Sequence, residues 1–185
     1  MMNPVPDAQL AHVGLFVRDL EAMIAFYCRV LGLVVTDSGD YYLGGRIAFL
    51  SRNPEEHHQV VMASGRPNGA PTTINQLSFR VKNLEDLKRF FTVLVAEQAK
   101  EIAPRNHGNA WSIYFSDPED NRIELYTPSP WYVGQPYGKP LDLTESVEAI
   151  VAKTEALIQD DPTACPREAW MTKLKTRLAR EPGAA

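Results

Sequence analysis

The 185 residues carry a formal net charge of −4, with 44% apolar and 23% charged side chains, a composition typical of a globular chain and unlike that of a disordered or fibrous one. This length supports one substantial core, or two small modules sharing a core, but not two large domains. An acidic balance with scattered Lys and Arg argues against nucleic acid as a partner, and the absence of a leader-like start or a long apolar run argues against a membrane, so a cytoplasmic location is expected.

In chain order, residues 12–17 alternate as a strand, with Val13, Leu15 and Val17 on one face and His12, Gly14 and Phe16 on the other. Asp19 then reads as a helix N-cap, followed by an apolar stripe of Met23, Ile24, Phe26, Tyr27, Val30 and Leu31 that Gly32 stops. Short strands are expected around residues 41–43, 47–50 and 59–63, the last with His58 on the face of Val60 and Met62. A Gly- and Pro-rich joint covers residues 65–71.

The pattern then starts again 64 residues on, where Val81-Lys82-Asn83-Leu84-Glu85 falls on Val17-Arg18-Asp19-Leu20-Glu21 without a gap. Leu77, Phe79 and Val81 oppose Gln76, Ser78 and Arg80, and Leu84, Leu87, Phe90, Phe91 and Leu94 form the second helical stripe. Strands follow at residues 113–115 and 122–126, the latter with Glu124 on the face of Arg122 and Tyr126. The unit reads as β-α-β-β-β made twice, over residues 9–64 and 73–129. The expected fold is α+β: one domain spanning residues 1–129, whose paired modules form a mixed sheet with a cleft. Residues 130–185 form a C-terminal extension with two helices, at about 144–159 and 166–180. Cys28 and Cys165 are too few for a disulfide framework or a cysteine zinc site and are expected to be reduced.

The repeat also relates polar residues. The offset of 64 places His12 on Gln76, and an offset of 66, which matches Ile47-Ala48-Phe49 with Ile113-Tyr114-Phe115, places His58 on Glu124. If the two units pair about a pseudo-twofold axis, His12, His58 and Glu124 converge. Two imidazoles and a carboxylate are the facial donor set of non-haem Fe(II), which leaves positions open for substrate and oxygen. A single strand histidine would say little; three residues at repeat-related positions carry the argument.

On these residues, and across residues 12–131, the chain resembles the vicinal oxygen chelate superfamily, which includes glyoxalase I, fosfomycin- and bleomycin-resistance proteins and extradiol dioxygenases. The resemblance is carried by His12-Val13-Gly14-Leu15-Phe16-Val17-Arg18-Asp19-Leu20, by His57-His58-Gln59-Val60-Val61, and by Ile113-Tyr114-Phe115-Ser116-Asp117-Pro118-Glu119-Asp120-Asn121-Arg122-Ile123-Glu124. It is strongest to single-domain type I extradiol dioxygenases, because of the His-His pair and a Tyr ten residues before the Glu. It implies His12, His58 and Glu124 as ligands of Fe(II), with Mn(II) as a substitute, and Tyr114 as hydrogen-bond donor to a catecholate oxygen. It further implies His107 as proton carrier, an aromatic diol and dioxygen as substrates, and a role in aromatic compound catabolism; the C-terminal helices, outside the repeat, are expected to mediate a homodimer or higher homo-oligomer.

Phe16, Met62, Trp111, Trp131 and Tyr132 are candidate apolar walls for the ring. The chain departs from the larger relatives in having only His12, His57, His58 and His107, which leaves an acid/base position of those enzymes empty, and in placing Asp120 where Gly is usual. The rival expectations are a glyoxalase-like lyase or isomerase with Gln76 as a further ligand, and a non-catalytic binding protein for small aromatics.

Overall fold

Val13–Val17 forms β1 and Leu20–Leu31 forms α1 in a computed structural model that describes residues 8–179. Asp19 caps the helix, accepting a hydrogen bond from Ala22 N–H at 3.0 Å, and Gly32 ends it at φ 68°, a left-handed conformation that a Cβ disfavours. Strands β2 (Val34–Asp40), β3 (Arg46–Ser51) and β4 (Val60–Ser64) follow. The order recurs as β5 (Leu77–Arg80), α2 (Leu84–Ala96, capped by Asn83), β6 (Lys100–Asn106), β7 (Ala110–Ser116) and β8 (Arg122–Pro128). The extension contributes β9 (Trp131–Tyr132), β10 (Lys139–Pro140), α3 (Val147–Ile158), β11 (Cys165–Pro166) and α4 (Arg167–Leu178).

The α+β architecture contains a four-stranded sheet of order β1-β4-β3-β2, a five-stranded sheet of order β10-β6-β7-β8-β5, and a small β11-β9 ribbon. In each large sheet the first strand of the repeat runs parallel to the last, Val13 opposite Val60 and Leu77 opposite Ile123. The register also shifts in both strands that follow a helix, between Val35 and Asp37 in β2 and between Lys100 and Ala103 in β6. The duplication therefore extends to a bulge that no hydrophobic pattern marks.

Two local expectations change. Residues 41–43 lie in a turn, closed by Tyr41 N–H donating to Gly45 O at 2.9 Å, with Gly44 and Gly45 at φ 97° and 82°; the strand precedes them. That strand, Val34-Val35-Thr36-Asp37-Ser38-Gly39-Asp40, pairs only with β3, and its polar composition suits a sheet edge while hiding the strand from a search for alternation. Strand β6 is hidden for a different reason, the interruption of its pattern by Pro104. The helices of the extension start later than the apolar pattern suggests, α3 at the residue after its cap Ser146 and α4 after Pro166.

A continuous apolar cluster joins both sheets, with Met23, Leu50, Met62, Leu87, Ile113 and Leu125 fully buried. Polar residues lock the joint. Asp117, in the turn between β7 and β8, accepts the backbone N–H groups of Glu119 and Asn121, both at 2.9 Å, and the Tyr27 hydroxyl at 3.1 Å. Burial raises the Asp117 pKa despite those donors. Asp120 takes the left-handed conformation at φ 63° that its turn demands. Glu119, 4% exposed, thereby meets the start of α1: it accepts from Asp19 N–H at 2.9 Å and pairs with Arg66 at 3.3 Å and Arg18 at 3.5 Å. Removing one partner of a buried pair strands the other charge, so Glu119→Ala should lower unfolding stability by about 3 kcal/mol. Urea denaturation checks this, and a loss below about 1 kcal/mol would show that the clasp does not hold the halves together.

Candidate active site

Alternation along β7 sends Trp111, Ile113 and Phe115 into the core and turns Ala110, Ser112 and Tyr114 to the other face. With Glu124 and Tyr126 of β8, Ser78 of β5 and His107 from the β6–β7 turn, these side chains line a cleft of about 350 Å³. Glu124, 8% exposed, accepts the Ser78 hydroxyl at 2.5 Å and the Gln76 amide at 2.9 Å. Tyr114 lies directly opposite it across the β7–β8 pair. Burial first, and the Glu124 carboxylate second, push the Tyr114 phenol far above its ordinary pKa, so it remains a protonated donor. The Arg122 guanidinium covers the ring 4.0 Å from its centroid.

His107 reaches this cleft through contacts with the extension. Its Nδ1 lies 2.7 Å from the Tyr137 carbonyl oxygen, and because a carbonyl only accepts, Nδ1 carries the proton. In the neutral ring Nε2, 3.0 Å from the Tyr114 hydroxyl, then carries the lone pair and accepts a hydrogen bond from that O–H. The turn bearing it needs Gly108, at φ 68°, where a Cβ would meet Val133 Cγ1 at 2.3 Å. Gln135 of the extension donates to His107 O at 2.9 Å. Among the described residues, Ser112 Oγ is the buried side-chain polar atom left without a partner, and it belongs to this cleft. Such orphans are rare in native interiors and point to an oxygen supplied by a ligand or water.

His12 and His58 come together elsewhere, with ring centroids 4.3 Å apart, just ahead of β1 and β4. His57 turns away to Asp37 at 2.7 Å, its Nδ1 2.9 Å from His58 Nδ1. Desolvation, reinforced by the charges of His12 and His57, lowers the His58 pKa. The register corrects the argument that tied His58 to Glu124. Glu124 faces Ser78, and the residue facing Gly14, the repeat counterpart of Ser78, is Val61. The connection from β3 to β4 is longer than that from β7 to β8, so an offset taken from the earlier strands overshoots, and His58 lies in that connection rather than on β4. Among the described residues no three His, Cys, Asp or Glu side chains are close enough to hold a metal ion. His12 and His58 sit by the edge strand β1, Gln76 and Glu124 by the edge strand β5, and one chain does not close them into a set.

Residues 9–125 match the Glyoxalase/Bleomycin resistance protein/Dioxygenase superfamily. The chain belongs to that superfamily. It is 28% identical over 169 residues to biphenyl-2,3-diol 1,2-dioxygenase 2 of Rhodococcus globerulus, covering 79% of this chain and 83% of that protein. It is 32% identical over 123 residues to biphenyl-2,3-diol 1,2-dioxygenase 3 of the same organism, covering 63% and 62% of the two chains. Its fold is similar to that of the fosfomycin resistance protein FosX from Listeria monocytogenes, solved with Mn(II) and sulfate. The TM-score is 0.53 at 20% identity, over 67% of this chain and 95% of that one.

Of the apolar walls expected for this superfamily member, Met62 and Trp111 are core residues, Phe16 is 57% exposed beside Tyr41, and Trp131 and Tyr132 line a hollow next to the cleft. Ser112 carried no sequence signal; Ser78 was legible only as the partner of Gln76 on its strand face. No helix among the described residues is long and apolar enough to cross a membrane. The raised Tyr114 pKa has a direct readout: below about pH 11, the near-ultraviolet tyrosinate titration of Tyr114→Phe should superimpose on that of the wild type. One fewer ionising tyrosine in the variant would contradict the protonated-donor assignment.

Proposed function

We propose that the protein is a metal-dependent extradiol dioxygenase acting on a catechol-type aromatic diol, with Fe(II), or Mn(II) in its place, and with a homodimer as the working unit. The observation that carries this reading is the cleft itself, where a protonated phenol, an imidazole lone pair, a buried carboxylate and an orphan serine hydroxyl face one small volume. The two named diol dioxygenases among the relatives support it.

The imidazole of His12 suits Fe(II), and the carboxylate of Glu124 with an amide oxygen suits Mn(II). Gln76 is the repeat counterpart of His12 and lies 2.9 Å from Glu124, so we assign it the third donor position and place His58 beside the site, next to His12. Pairing the unpaired edge β1 of one copy with the edge β5 of another would bring the two groups of donors together.

A metal bound there supplies a template and Lewis acid for both diol oxygens. The side chains of the cleft manage the protons. His107 Nε2 accepts a proton from a diol hydroxyl, and the resulting imidazolium is stabilised through Nδ1–H by the Tyr137 carbonyl. Tyr114, freed from His107, donates its O–H to the diol oxygen, and Ser112 Oγ gains the partner it lacks. Gln76 at Glu124 favours one rival, a glyoxalase-like lyase or isomerase, which consumes no oxygen.

An oxygen electrode separates the two readings. Iron-loaded protein should consume oxygen on a catechol in step with ring-opened product, and full iron with no uptake across a catechol panel would overturn the dioxygenase reading. In metal analysis, His12→Ala, Gln76→Ala and Glu124→Ala should lose the ion, while His58→Ala keeps it and slows turnover by about 10²-fold. The reverse result for Gln76 and His58 would return His58 to the donor set.

A further inference from the structure

Beside the Glu124 cleft lies a second hollow of about 160 Å³, walled by Trp131, Tyr132, Trp170 and Arg167 of the extension and by Pro128. The two share Asn109, Ala110 and Tyr126 and so lie side by side. The wall is built rather than incidental. Tyr132 and Trp170 stack with centroids 5.1 Å apart and planes 10° from parallel, and the β9–β11 ribbon pairs Trp131 with Pro166. Arg167 N–H donates to Pro130 O at 2.9 Å, anchoring the first residue of α4. Arg167 is half-buried; among the described residues its guanidinium donates to the Met171 sulfur at 3.3 Å and has no carboxylate partner. A half-buried cation among aromatic faces, with its donors unused by protein oxygens, is prepared for an anionic oxygen.

We infer that this hollow is a distal subsite for a second aromatic ring carrying a carboxylate, the far end of a two-ring substrate. This assignment rests on the reading of the Glu124 cleft as the place where the reacting end binds. The size agrees: an apolar cavity of about 150 Å³ admits one benzene-sized ring, and the hollow measures about 160 Å³. The rings of Trp131, Tyr132 and Trp170 provide flat faces for stacking, and Arg167 selects for the charged substituent. The extension thereby sets specificity, while chemistry stays with the repeat.

Calorimetric titration of the full chain with biphenyl-4-carboxylate and with its neutral isostere 4-biphenylmethanol tests this without metal or turnover. The wild type should bind the carboxylate about tenfold more tightly, the difference expected of one charge-assisted contact. Arg167→Gln should erase that preference while retaining the neutral ligand. Trp170→Ala should weaken both ligands, and Trp170→Phe, which keeps a ring against Tyr132, should restore them. No binding of the carboxylate by the wild type, or a preference that survives Arg167→Gln, would overturn the subsite. Binding that behaves as described in a protein that consumes no oxygen would leave the subsite standing and remove only the dioxygenase reading.

Discussion

The hydroxyl of Thr154 joins the C-terminal extension to the sheet that carries the cleft. Fully buried on α3, it accepts from Asn106 Nδ2 at 2.9 Å and Trp111 Nε1 at 2.8 Å and donates to Ile150 O at 2.7 Å. One hydroxyl thus uses its single donor and both acceptor positions, and any apolar replacement would leave two buried N–H groups unpaired. The consequence passes down the chain. Asn106 Oδ1 accepts Gly108 N–H at 2.9 Å, and this fixes the turn that presents His107 to Tyr114. The extension, although outside the repeat, therefore holds the His107 side chain at the cleft.

The repeat divides the remaining chemistry. Its parallel pairing of first and last strands leaves β1 and β5 as edges, and the candidate donors gather beside those edges, His12 with His58 and Gln76 with Glu124. The Glu119 clasp and the Phe26–Phe115 contact, at 6.4 Å between centroids, join the halves through α1 rather than through those edges. Edge strands left free in a chain of this kind invite pairing with another strand. The fold spends its own contacts away from β1 and β5.

Much of this was legible in the sequence because period and capping are local. Asp19, Gly32 and Asn83 punctuate the helices where their chemistry predicts, and alternation puts Gln76, Ser78 and Glu124 on the faces that they occupy. The link from His58 to Glu124 failed because sequence offsets do not register the different lengths of two hairpins, which only the strand pairing reveals. Strand β2 was obscured by its polar edge composition and β6 by Pro104 and its register shift. The contacts that orient His107, from Tyr137, Gln135 and the Thr154–Asn106 bond, span up to 48 residues and leave no periodic trace.

The extension fixes His107 with its proton on Nδ1 and its lone pair on Nε2 toward the cleft. Long-range proton–nitrogen NMR of the imidazole rings reads that tautomer directly. In the neutral form, His107 should show a protonated Nδ1 and an unprotonated Nε2. A His107 ring protonated on Nε2, or one exchanging evenly between tautomers, would contradict that placement of the proton.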